Sequence, residues 1–168
     1  MRYPSKSNTL VTCGAIVCAL VIGSALRTSA QAPAPLTKIT GPIYTEAQAN
    51  RGAAVFKEQC AGCHRPNFHE GEGDPSLTGP HFLEAWGLVS LGSMANLIRT
   101  TMPPDVPPNT LSVQQVTDIV AYVLYLNYYP AGTKELPPDL DALSKLVLQT
   151  PEEHLQMYID MAAKKNQP

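Results

Sequence analysis

The stretch Thr45–His64, TEAQANRGAAVFKEQCAGCH, decides how the chain is read. Thr45 followed three residues later by Gln48 is a capping-box pattern, so a helix starts there. Ala49, Gly52, Ala53 and Phe56 recur at helical spacing and make one face of it. The helix runs into Cys60-Ala61-Gly62-Cys63-His64.

C-x-x-C-H is the pattern of covalent haem attachment. Two cysteines three apart can reach the two vinyl groups along one haem edge as thioethers, and the histidine that follows points its imidazole at the iron. The rival readings are a thioredoxin-like redox pair and half of a zinc site. The first lacks a surrounding βαβ pattern, and the second lacks another cysteine pair.

An iron that only shuttles electrons needs a second axial ligand. Downstream stand Met94, Met102, Met157, Met161, His69, His81 and His154. Met102 is preferred because Pro103 and Pro104 hold the chain around it extended and stiff, so that its thioether is presented free of helical constraint. Met94, Met157 and Met161 fall on expected helices and read as core filler. His69 is the reserve ligand, and His81 reads as a loop or surface residue.

Upstream, Arg2 and Lys6 precede an apolar run from Leu10 to Leu26 that leads into Thr28, Ser29 and Ala30. That is the layout of a secretory signal peptide over residues 1–30. The alternative is an uncleaved anchor over residues 10–26, near the lower length limit for a span. Cys13 and Cys18 lie inside this run, so only Cys60 and Cys63 remain after export, in a compartment where free thiols oxidise. Residues 31–42 are rich in Pro, Ala and Thr without periodicity and read as a tether outside the core.

Without residues 1–30 the chain has nine basic and fourteen acidic side chains, a net charge of −5. Haem propionates would add to it. This makes nucleic acid and anionic lipid surfaces poor partners and favours a protein with a basic docking patch. A membrane enters only if the N-terminal segment stays uncleaved.

Beyond the motif, Arg65–Gly79 carries too many glycines and prolines for regular structure and reads as a loop. Short helices are expected over Phe82–Trp86 and Ser93–Arg99. A longer one is expected from Ser112, boxed with Gln115, to about Asn127, with Val116, Ile119, Val120, Val123 and Leu124 inward. After Gly132 the chain is extended at Leu136-Pro137-Pro138 and reads as helical over Asp139–Leu148. A last helix starts at Thr150, with Pro151 first and Glu153 closing a capping box. Its Leu155, Tyr158, Ile159 and Ala162 share a face, expected to pack back on the domain, a docking element being the alternative. No stretch alternates as a strand does, so the expected class is all-α.

Over roughly Ala47–Tyr129 the chain resembles a class I cytochrome c. Gly52, Phe56 and Cys60 are spaced as in the family's first helix, which crosses the last core helix where this chain has Ile119 and Tyr122. The resemblance implies one covalently attached haem c in a small helical domain, here residues 43–130; the Pro-rich lead-in and the helical extension over 131–168 depart from the family's pattern and bear on the partner, not on the haem. The resemblance also implies that the Pro75 carbonyl in DPSLTGP accepts the ring N–H of His64 and that Leu77 packs on the haem.

The run Met102–Leu124, MPPDVPPNTLSVQQVTDIVAYVL, is similar to haem domains that accompany periplasmic quinoprotein dehydrogenases. The implied role is extracytoplasmic electron transfer from a dehydrogenase donor to a cytochrome or oxidase acceptor, with His64 and Met102 on the iron. The alternatives are a cytochrome subunit inside an oxidoreductase complex, and an open-site haem peroxidase or sensor.

Overall fold

The computed structural model of the chain describes residues 35–64 and 77–165. The expected signal segment, Pro75, His69 and most of the loop after His64 lie outside the described residues. Helix α1, Glu46–Gln59, begins where Thr45 is extended and its hydroxyl accepts the Gln48 N–H at 3.1 Å. The expected box closes on one side only. The Gln48 side chain turns instead to Leu136, accepting its N–H at 2.8 Å and donating to its carbonyl at 2.9 Å.

Helices α2, Gly79–Trp86, and α3, Leu91–Thr101, each run longer than the segments expected for them. The Ser90 hydroxyl caps α3 by accepting the Ser93 N–H at 3.1 Å. Helix α4, Val113–Leu126, has the full capping box: Ser112 Oγ accepts the Gln115 N–H at 3.2 Å, and Gln115 Oε1 accepts the Ser112 N–H at 3.0 Å. Val116, Ile119, Val120, Val123 and Leu124 are all buried, as their spacing predicts.

The α1–α4 crossing is the centre of the fold. Gly52 lies so close to α4 that a Cβ there would stand 1.8 Å from the Asp118 carbonyl oxygen, which no side chain can do. Phe56, one turn on, brings its ring to 5.3 Å from Tyr122. Glycine at this position therefore sets the approach of the two helices, and the aromatic pair fills the space beside it.

The chain after α4 is bound back onto this pair. Tyr44 Oη donates to the Tyr129 carbonyl at 2.5 Å, and the Gly132 N–H donates to the Tyr44 carbonyl at 2.7 Å. Arg51 bridges Asp118, at 3.0 Å, and Glu135, at 2.8 Å, so one guanidinium joins α1, α4 and the extension. These carboxylates hold the Arg51 charge more firmly than solvent would.

Three expectations are corrected here. Residues 31–42 were read as a tether outside the core, but β1, Thr37–Lys38, pairs in parallel with β2, Leu146–Val147, and Ile39 is 2% exposed. Burial of Ile39, together with the Thr37 N–H on the Lys145 carbonyl at 2.6 Å and the Ile39 N–H on the Val147 carbonyl at 2.9 Å, seats residues 37–39. The helix expected over Asp139–Leu148 stops early: α5 covers only Leu140–Leu143, because Leu146 and Val147 take the β pairing. The all-α class stands, with six helices and this one short strand pair among the described residues.

The third correction concerns α6, Pro151–Lys165. Its capping box is present, with Thr150 Oγ1 accepting the Glu153 N–H at 3.3 Å and Glu153 Oε2 accepting the Thr150 N–H at 3.0 Å. The face turned inward, however, is that of His154 and Met157, with the His154 ring 4.5 Å from that of Tyr129. Leu155, Tyr158 and Ile159 face solvent at 59%, 47% and 49% exposure. The helix carries an apolar arc too wide for one contact, and the contact falls on its edge.

Candidate functional site

The chemistry-bearing residues leave α1 in a single turn. The Phe56 carbonyl accepts the N–H of Cys60 at 2.8 Å and of Ala61 at 2.9 Å. The Cys60 carbonyl accepts the N–H of Cys63 at 3.1 Å and of His64 at 2.8 Å. Cys60 and His64 are half-buried, Cys63 is exposed, and the two thiols are not joined in a disulfide. Gly62, between them, faces open space: a Cβ there would meet nothing within 4 Å.

This geometry separates the haem reading from its main rival. A reactive redox cysteine sits at a helix N-terminus, where the dipole lowers its pKa. Cys60 sits at the C-terminal end of α1, where the dipole opposes a thiolate. Burial, with some help from Cys63, pushes its thiol up to about 11. Among the described residues no group of three or more His, Cys, Asp or Glu side chains could hold a bare metal ion. Two cysteines of this kind beside an imidazole and open space fit a haem edge.

Leu77 emerges on the near side of α2, half-buried against the core, and its carbonyl accepts Asn127 Nδ2 at 2.8 Å. Asn127 thereby ties Leu77, just ahead of α2, to the end of α4, a role no pattern in the sequence announced. Met102 caps α3: its N–H donates to the Ile98 carbonyl at 3.0 Å, and its backbone is extended at φ −124° and ψ 141°. Met102 is half-buried, and beyond it the chain does not run extended as expected but turns over Pro103–Val106, the Val106 N–H donating to the Pro103 carbonyl at 3.4 Å.

Cys60, Ala61, Leu77, Ile98 and Tyr122 all pack against the same buried cluster, so the Cys60–His64 turn and the end of α3 share one core. Of the other candidates, Met94 and Met157 are core residues, as expected. His81 is exposed on α2 with Nδ1 3.2 Å from Glu84. His154 is buried against Tyr129, and burial lowers its pKa below the ordinary 6.5.

Residues 47–123 match the family model of cytochrome c oxidase, cbb3-type, subunit III. The domain that this model describes is a c-type cytochrome domain, which supports a haem-based electron-transfer role. The match starts inside α1, takes in Cys60–His64, Leu77 and Met102, and stops inside α4, so it covers less than half of the chain. No curated protein and no solved structure matches the chain.

A c-type cytochrome domain carries covalently bound haem, works in electron transfer with redox protein partners, and is typically extracytoplasmic or membrane-associated. No helix among the described residues is long and apolar enough to cross a membrane.

Proposed function

We propose that the chain is an exported carrier of single electrons, with one haem c joined to Cys60 and Cys63 and its iron held by His64 and Met102. It stands between a periplasmic dehydrogenase and a downstream acceptor. The observation that supports the reading is the turn at the end of α1, which carries Cys60, Cys63 and His64 in one short hydrogen-bonded loop with Cys60 packed on the core, inside the segment that matches a c-type cytochrome domain.

When bound, the haem supplies an iron that changes valence by one electron with little movement of atoms. Cys60 and Cys63 hold its edge, and His64 provides the nitrogen ligand. Met102 provides a soft thioether, which favours the ferrous state and raises the potential. The Pro103–Pro104 pair restrains the chain beside Met102, so the ligand is kept through the redox cycle.

The net charge of −5 in residues 31–168 supports exchange with proteins that offer a basic patch. Intact mass after export tests the attachment. The expected result is one haem per chain that survives denaturation and is lost when Cys60 and Cys63 are both changed to serine. A mass equal to that of the bare polypeptide would refute the proposal.

A further inference from the structure

We infer that Arg99 holds a haem propionate, which rests on the proposed haem and names the residue that meets its acidic edge. Arg99 Nε is buried and has no hydrogen-bond partner. The other buried side-chain atoms without partners among the described residues belong to Tyr129, Gln149 and His154, and none of these carries the fixed charge of a guanidinium. Every other described lysine or arginine side chain is exposed. Lys38 is paired with Glu153, and Arg51 with Asp118 and Glu135. Arg99 is half-buried, and no carboxylate of the described residues is paired with it. A guanidinium leaves water at a high cost unless an anion meets it, and its planar fork fits a carboxylate.

The position of Arg99 selects the anion. Arg99 stands in the last turn of α3, three residues before Met102, a spacing that puts Cβ atoms about 5–6 Å apart on a helix. Ile98, beside it, packs on the cluster that also receives Cys60 and Leu77. The loop after Met102 returns to the same turn, where the Asn109 N–H donates to the Arg99 carbonyl at 2.7 Å. Asn109 has φ 65°, in the left-handed region that asparagine tolerates better than most residues. Because the Met102 N–H donates to the Ile98 carbonyl at 3.0 Å, the loop is tied at both ends to α3, and Arg99 and Met102 belong to one unit. Asp105, the acid of this loop, is exposed and leaves Arg99 unpaired. A haem bound through Met102 brings two propionate carboxylates to this end of α3. Neutralising one of them removes a negative charge that favours ferric iron, so Arg99 and the thioether raise the potential together.

The test uses the exported, haem-loaded full chain with Arg99→Gln, Arg99→Lys and, as a charge control, Lys57→Gln, whose side chain is exposed on α1. Resonance Raman spectra read the propionate bending mode, and a redox titration reads the potential. Arg99→Gln should shift the mode and move the reduced-to-oxidised equilibrium at least about threefold toward ferric iron. Arg99→Lys, which keeps the charge without the fork, should stay near the parent in potential with a mode between the two. Lys57→Gln should leave the mode unmoved and change the potential less. An unmoved mode in Arg99→Gln, or equal shifts in Arg99→Gln and Lys57→Gln, would overturn the inference. So would a lower unfolding midpoint in Arg99→Gln with the parent's mode, which would assign a protein carboxylate to Arg99. If Arg99→Gln does not fold, Arg99→Lys decides, and the parent's mode in that variant refutes the contact. Intact mass reads the covalent haem separately: a chain without haem fails the electron-carrier reading, whereas a haem-loaded chain with an unmoved mode fails this contact alone.

Discussion

Helices α4 and α6 begin alike, each with a hydroxyl residue and a Gln or Glu three positions on that close a capping box. They then use their apolar residues in opposite ways. In α4 the five residues that share the apolar face are all buried, because the Gly52 contact fixes which side of the helix faces α1. In α6 the buried pair is His154 and Met157, and the more apolar neighbours Leu155, Tyr158 and Ile159 are left in solvent. The start of a helix is written locally, whereas the face it buries depends on what the rest of the chain offers.

The comparison can be broken at its strongest point first. Gly52→Ala puts a methyl group into the α4 backbone, and the helices must separate. A loss of about 3 kcal/mol in denaturant unfolding is expected. A change under roughly 0.5 kcal/mol, the scale of an ordinary surface substitution, would show that the crossing is not what orders α4. Gln48→Ala comes next. It strips both partners from the buried Leu136 backbone, at a cost of about 2 kcal/mol. It should also make the chain after Ala131 sensitive to protease while α1 and α4 stay protected. Uniform protection would mean that the extension is held elsewhere.

A pH series sharpens the α6 side. Burial lowers the His154 pKa below 6.5, so the unfolded chain takes up the proton more readily than the folded one. The stability gained by keeping His154 neutral is complete above 6.5 and is lost as pH falls through that value toward the folded pKa. The nearby Tyr129 phenol, pushed by burial up to about 12, stays neutral throughout. The unfolding midpoint should therefore fall from about pH 7 to about pH 5 in the parent chain and less so in His154→Gln. Parallel curves would remove His154 from the account. The smallest effect is expected at Ile159→Ala: within about 0.5 kcal/mol, since half of that side chain is already in water. A larger loss would mean that α6 is packed on its outer face after all.

What could be read in the sequence follows the same division. The capping hydroxyls Thr45, Ser112 and Thr150 and the α4 face are short-range patterns, and each stands where it was expected; the C-x-x-C-H motif is read in the same local way, in a turn at the end of α1. The helical segment that resembles a class I cytochrome c is also the segment that matches a c-type cytochrome domain. The features that were not legible depend on pairings far apart in the chain. Ile39 is held in the core through Val147, Gln48 is engaged by Leu136 rather than by its own cap, and Asn127 is bonded to Leu77. Neither end of such a pairing carries a local mark. The α6 face was misread because Leu155, Tyr158 and Ile159 outrank His154 in hydrophobicity, while the buried slot beside Tyr129 accepts the histidine ring.

The central claim is that His64 and Met102 together make a sealed electron-transfer iron. Visible spectra of the exported protein, oxidised and reduced, with Met102→Ala beside it, test this most directly. The account predicts low-spin haem with a weak far-red sulfur-to-iron band in the parent, and in the variant loss of that band and a lower potential. A high-spin parent that shifts with carbon monoxide, or a band that survives in Met102→Ala, would contradict it.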